Sequence, residues 1–140
     1  MIIHLAITNC FFDTDLGKSI FLYYVLLCRL QDKMPTAFQL SDSFVLFEAS
    51  GAKEYPSDQC YHQVIPQGTL ALVDACMKRP CHAFLRVAQE PEPRAWIIQT
   101  ECPYQDSRNK WYEPYTVGLY VMNYFSADEI VVLGFVKLHL

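Results

Sequence analysis

The sequence predicts an α/β protein: one domain over residues 1–140, a three-layer core with a mainly parallel sheet. Three observations carry this. Ile2-Ile3-His4-Leu5-Ala6-Ile7, Leu70-Ala71-Leu72-Val73 and Ala95-Trp96-Ile97-Ile98 are near-continuous apolar runs, the pattern of strands covered on both faces of a parallel sheet. Each run gives way to polar residues, and the C-terminal edge of an open parallel sheet is where ligands bind. Between the first two runs, Ile20 to Leu30 reads as a buried helix, apolar on nearly all faces and therefore expected to be covered on nearly all sides.

Composition narrows the class. Hydrophobic residues make up 52% of the 140, enough for a real core, and 14% are aromatic, against disorder. The net charge is −4 and the 11 Lys and Arg residues are scattered, so the chain shows no nucleic-acid footprint and no attraction to an anionic membrane. No segment reaches the roughly 18 unbroken apolar residues of a membrane span, and the N-terminus lacks the pattern of a signal peptide. The six cysteines have no framework spacing and read as reduced thiols in an intracellular protein, cytoplasmic or nuclear. A zinc site built from Cys60, His62, Cys76, Cys81 and His82 is the alternative use of some of them, without the usual C-x₂₋₄-C knuckle.

Strands are expected near 2–8, 36–40, 44–48, 69–74, 95–100 and 117–122. The first begins almost at Met1, and a truncated or incomplete domain is one reading of that. Pro35 stops the helix, with Arg29 and Lys33 suiting its C-terminal dipole. Ser41-Asp42-Ser43 suggests a hairpin between the second and third strands. Ala49 to Gln67 reads as a loop or weak helix, and 80–85 as a short apolar piece before the charged turn at 89–94. A short helix is expected around Arg108, Lys110 and Trp111. Ser126-Ala127-Asp128-Glu129 matches a capping box, so another should start at Ala127.

Asp15-Leu16-Gly17-Lys18-Ser19 is the stretch with the most chemistry. Strand, short loop, Gly-Lys-Ser, helix is the setting of a phosphate-binding P-loop. Loop and helix N–H groups face the phosphates, lysine adds a mobile positive charge, and the next hydroxyl can ligate Mg²⁺. The full motif opens with a glycine four residues earlier, where this chain has Phe12, followed by Asp13 and Thr14. The tripeptide also suits an ordinary polar helix start with Lys18 in solvent. Asp74, at the end of the apolar run 70–73, is placed to hold Mg²⁺ beside such a loop; it equally suits a plain strand-end cap. Gln99 or Thr100, at the tip of the third core strand, could sense a terminal phosphate.

Taken together, Gly17-Lys18-Ser19 leading into Phe21-Leu22-Tyr23-Tyr24, then Arg29-Leu30, Lys33, Pro35-Thr36-Ala37-Phe38-Gln39, Val45-Leu46-Phe47, Leu72-Val73-Asp74, Pro80-Cys81, Trp96-Ile97-Ile98-Gln99-Thr100 and Ser126 with Asp128-Glu129-Ile130 resemble one family. It is the P-loop NTPase domain of fungal proteins similar to trypanosome retrotransposon hot spot proteins and oomycete Crinklers. The resemblance covers most of the chain. It implies an ATPase-type core, with Gly17, Lys18 and Ser19 on the phosphates, Ser19 and Asp74 on Mg²⁺, and Asp74 and Thr100 as the catalytic pair. The family's glycine-rich loop is replaced here at Phe12 to Asp15, and its additional domains are absent from this sequence.

The expected function is a degenerate ATP-binding P-loop domain. Asp13 and Asp15 repel phosphate if they face the loop, and Ala75 and Cys76 lack the carboxylate that would orient an attacking water, so weak binding and little hydrolysis are expected. The alternative is a non-catalytic remnant of the fold acting as a protein-interaction module, with a protein partner or a missing domain supplying the role. The apolar helix and the run Val131-Val132-Leu133-Gly134-Phe135-Val136 predict association or poor solubility.

Overall fold

In chain order the elements are β1 (Ile2–Ala6), α1 (Asp15–Gln31), β2 (Thr36–Gln39), β3 (Ser43–Glu48), β4 (Gly51–Pro56), a 3-10 turn (Tyr61–Val64), β5 (Thr69–Val73), α2 (His82–Ala88), β6 (Ala95–Glu101) and β7 (Val117–Val121). The structure is a computed structural model. It describes residues 2–6, 15–57, 61–74, 79–101 and 117–121, with side chains for 19–57, 61–74 and 79–100. Phe12, Asp13, Thr14, Cys60, Ala75, Cys76, the expected helices near Arg108 and from Ala127, and the run 131–136 lie outside the described residues. Among those described, no helix is long and apolar enough to cross a membrane.

The strands form one mixed sheet in the order β4-β3-β2-β5-β6-β1-β7. β2, β5, β6, β1 and β7 run parallel, and β3 and β4 extend the β2 edge as antiparallel hairpins. The α/β character and the mainly parallel sheet expected from the apolar runs are therefore present.

Each face of the sheet has its own core, because successive strand residues point to opposite faces. On one face Leu22 of α1 packs with Phe38, Leu70 and Leu72, with Ile98 and Phe47 beside them. On the other, Ala83, Phe84 and Val87 of α2 pack with Ala37, Phe44, Leu46, Ala71, Val73, Ala95 and Ile97. Topology explains the division. The link from β1 to β2 crosses the sheet in one direction, and the link from β5 to β6 crosses in the other. Right-handed crossovers in opposite directions put their helices on opposite faces.

Two local readings are corrected and one is made specific. Residues 51–56 form a strand rather than a loop or weak helix. β4 is an edge strand whose side chains are mostly exposed, so the alternation that would reveal it is weak, and its Lys53 and Glu54 suit an edge that must not recruit other chains. Its one inward ring, Tyr55, lies against Phe44 with centroids 5.4 Å apart. The apolar piece at 80–85 is the start of α2, whose buried Ala83, Phe84 and Val87 follow helical rather than strand spacing. Finally, α1 is not covered all round. Tyr23, Tyr24 and Leu27 are 52%, 65% and 52% exposed, and Tyr24 and Leu27 lie on the helix side away from the buried Leu22.

Arg29 fixes the far end of α1. One guanidinium nitrogen, Nη2, donates to the carbonyls of Pro35 and Gly68, both at 2.8 Å, and Nε donates to Thr36 Oγ1 at 3.3 Å. This ties the helix C-terminus to the starts of β2 and β5. The helix axis is thereby set, and its N-terminus is carried to the opposite, C-terminal edge of the sheet.

Candidate functional site

The site begins where α1 meets β5. Helix α1 starts at Asp15, earlier than the apolar run suggested, so Gly17 and Lys18 belong to its first turn. The first four N–H groups of an α-helix have no partner within it, and here those belong to Asp15 through Lys18. They carry the positive end of the helix dipole.

Ser19 comes next in the chain. Its Oγ donates to Asp74 Oδ2 at 2.7 Å, across 55 residues of sequence. Asp74 directly follows Val73, the last residue of β5, and both groups are partly buried. The bond closes the N-terminal turn of α1 onto the C-terminal end of the acid-bearing strand. A hydroxyl has one donor hydrogen and two lone pairs. With its hydrogen committed to Asp74, Ser19 keeps lone pairs for a cation beside the carboxylate.

Thr100 lies at the same edge. Val73 pairs with Gln99, so Thr100 stands one step further along β6, next to the level of Asp74, and it pairs with Leu5 of β1. Leu72 and Ile98 both face α1, and alternation puts Asp74 and Thr100 on that side too. Thr100 is 0% exposed, and its Oγ1 has no hydrogen-bond partner among the described residues. A buried hydroxyl left unpaired costs about 1–3 kcal/mol, and in a native structure such a group calls for an explanation, of which a ligand is one.

No family model, curated protein or solved structure matches this chain. What the site can do is therefore argued from its own geometry. Ser19 and Asp74 offer hard oxygen donors side by side, the donor set that suits Mg²⁺. The first turn of α1, which includes Lys18, offers backbone N–H groups to an anion. Thr100 offers a hydroxyl that nothing described uses.

Two residues at this edge escaped the sequence reading. Gln39, the last residue of β2, is 6% exposed. Its Nε2 donates to the carbonyl of Arg79 at 3.1 Å, and its Oε1 accepts the backbone N–H of Cys81 at 2.7 Å. Both ends of the amide are used, and the chain entering α2 is pinned to the sheet. The signal was legible as a polar residue ending an apolar strand, the same pattern that drew attention to Asp74 and Thr100. Arg79 is the other, with an exposed side chain.

The adjacent Cys81 and His82 point apart. Cys81 sits in the core under α2, where burial pushes its thiol above the usual range, while His82 is exposed. Among the described residues, no group of three or more His, Cys, Asp or Glu side chains comes together.

Proposed function

We propose that the chain is a P-loop-type nucleotide-binding domain that takes ATP with Mg²⁺, binds it weakly and hydrolyses it little. The observation that carries this reading is the Ser19–Asp74 hydrogen bond at 2.7 Å. It joins the hydroxyl that follows Gly17-Lys18 to the acid at the end of a parallel core strand, two groups that the P-loop reading assigns to one cation. Gly17, Lys18 and the first turn of α1 would hold phosphate, Ser19 and Asp74 would hold Mg²⁺, and Thr100 would meet the terminal phosphate. When bound, Mg²⁺ would neutralise charge on the phosphates.

The strand order supports the same reading. β6 separates β1 from β5, the helix following β1 lies on one face and the helix following β5 on the other. A crevice at such a reversal is the usual ligand site of open α/β sheets. This arrangement fits the proposed kinship with the fungal P-loop domains similar to retrotransposon hot spot proteins and Crinklers. Weak binding follows from Phe12 in place of the first loop glycine and from Asp13 and Asp15. Little hydrolysis follows from Ala75 and Cys76 beside Asp74.

A second reading, a non-catalytic remnant serving as a protein-interaction module, is favoured by the outer side of α1, where Tyr24 and Leu27 are exposed. Calorimetric titration with ATP and Mg²⁺, followed by phosphate-release measurements, separates the two. Binding that disappears in Lys18→Ala, with turnover near background, is the expected result. A wild-type chain that takes no nucleotide at millimolar concentration would leave only the remnant reading.

A further inference from the structure

We propose that the chain's own C-terminal segment, residues 126–136, docks as a helix on the α1 face of the sheet, over β6 and β1 and alongside α1. The starting point is an asymmetry within β6. Its residues on the α2 face, Ala95 and Ile97, are fully buried. On the α1 face, Ile98 is only partly buried and Trp96, two residues before it on the same side, is 53% exposed. Every residue of the neighbouring β5 is buried. Cover on the α1 face therefore stops between β5 and β6.

The position of α1 explains where it stops. The helix packs over β2 and β5, and Tyr23 stacks flat on Phe38 of β2 with centroids 5.6 Å apart. Tyr23 thus marks the flank of α1 towards β2. Phe21, Val25 and Cys28 form a stripe at helical spacing on the opposite flank, towards β6, and each is partly buried. This stripe is the wall of an apolar groove, and Trp96 and Ile98 are its floor. β1 and β7 continue the sheet beyond β6.

The occupant follows from the connections. The link from β6 to β7 crosses the sheet in the same direction as the link from β5 to β6. A right-handed crossover takes it over the α2 face, where the 3-10 turn also packs. No link other than α1 is then left to cover the α1 face. Past Val121, the end of β7, the sequence continues with the capping box Ser126-Ala127-Asp128-Glu129 and the apolar residues Ile130-Val131-Val132-Leu133 and Phe135-Val136. The dimensions agree. A helix over 127–136 is about 15 Å long, close to the roughly 17 Å of a five-residue strand. Packed helices lie about 8–10 Å apart, and two strand spacings are also about 10 Å, so a helix beside α1 falls over β6 and β1. A second copy of the chain in the groove would leave the apolar run 130–136 without a place of its own.

The test is photo-cross-linking in the full chain with benzoylphenylalanine in place of Trp96, read by mass spectrometry of proteolytic peptides. Position 96 is half exposed, so the fold tolerates another large aromatic there. The expected product is a cross-link within one chain to a residue of 126–136, in a yield that does not change with protein concentration. Leu133→Asp should lower that yield about tenfold or more, because an apolar groove does not accept an unpaired carboxylate. Should Leu133→Asp fail to fold, the position of the cross-link in the otherwise unaltered chain decides alone. Cross-links between chains that grow with concentration overturn the proposal in favour of a second copy. Cross-links to residues 102–116, or none, overturn it outright.

Discussion

The Ser19–Asp74 bond is the link on which the candidate site depends, and a double-mutant cycle measures it directly. Ser19→Ala removes the donor, Asp74→Ala removes the acceptor, and the double variant removes both. At 2.7 Å, a hydroxyl bonded to a carboxylate is a charge-assisted contact, worth about 1.5–3 kcal/mol when sheltered. Both groups are only partly buried, so a coupling of about 1–2 kcal/mol is the better expectation. The single variants differ in their side effects. Alanine at position 19 recovers a few tenths of a kcal/mol in helix propensity. Loss of Asp74 also removes a carboxylate near the positive end of α1, about 0.3–1 kcal/mol. The cycle cancels these terms, because each appears in one single variant and again in the double. Urea unfolding followed by far-UV circular dichroism, with EDTA present to exclude metal, gives the four stabilities. A coupling below about 0.3 kcal/mol, within the scatter of additive pairs, would mean that the two side chains do not meet in solution. With Mg²⁺ and ATP in place of EDTA, the midpoint should rise for wild type and not for either single variant.

Arg29→Ala should destabilise the fold by about 2–4 kcal/mol, since two carbonyls lose a charged donor and the C-terminal end of α1 loses its cation; Arg29→Lys, which keeps the charge without the fork, should recover only part of this in the same urea titration. The exposed Tyr24 and Leu27 predict concentration-dependent association of the wild-type chain. Leu27→Glu should shift sedimentation toward the monomer with little loss of stability, and a wild type that is monomeric at every concentration tested would refute the expectation.

Strands β2 and β5 were legible because each is covered on both faces, and that favours an unbroken apolar run. Leu70-Ala71-Leu72-Val73 admits no other reading of comparable economy. Helix α1 was equally plain from its length and the proline after it. What failed was local structure that depends on neighbours. β4 carries no apolar alternation because it borders solvent on most of its surface, and only its ladder to β3 makes it a strand. α2 is seven residues long, too short for its period to stand out, and its helicity comes from packing Ala83, Phe84 and Val87 onto β5 and β6. The expectation that α1 is covered on nearly all sides failed for a related reason. Hydrophobicity states what a side chain would gain by burial, whereas exposure depends on whether another layer is present.

For the candidate site, the sequence supplied the candidate residues and the tertiary structure decided which of them meet. Asp74 and Thr100 could be picked out as polar groups ending apolar runs, and Gly17-Lys18-Ser19 as a polar start to an apolar helix. Nothing in the sequence fixes that Ser19 reaches Asp74, a separation of 55 residues; that follows from parallel pairing, the strand order and the Arg29 clamp at the far end of α1. Gln39 and Arg79 belong wholly to the tertiary structure. A glutamine at a strand tip and an arginine 40 residues later have no relation in sequence, and they become one element only because β2 and β5 lie side by side, so that the strand end and the chain leaving its neighbour come within hydrogen-bonding distance.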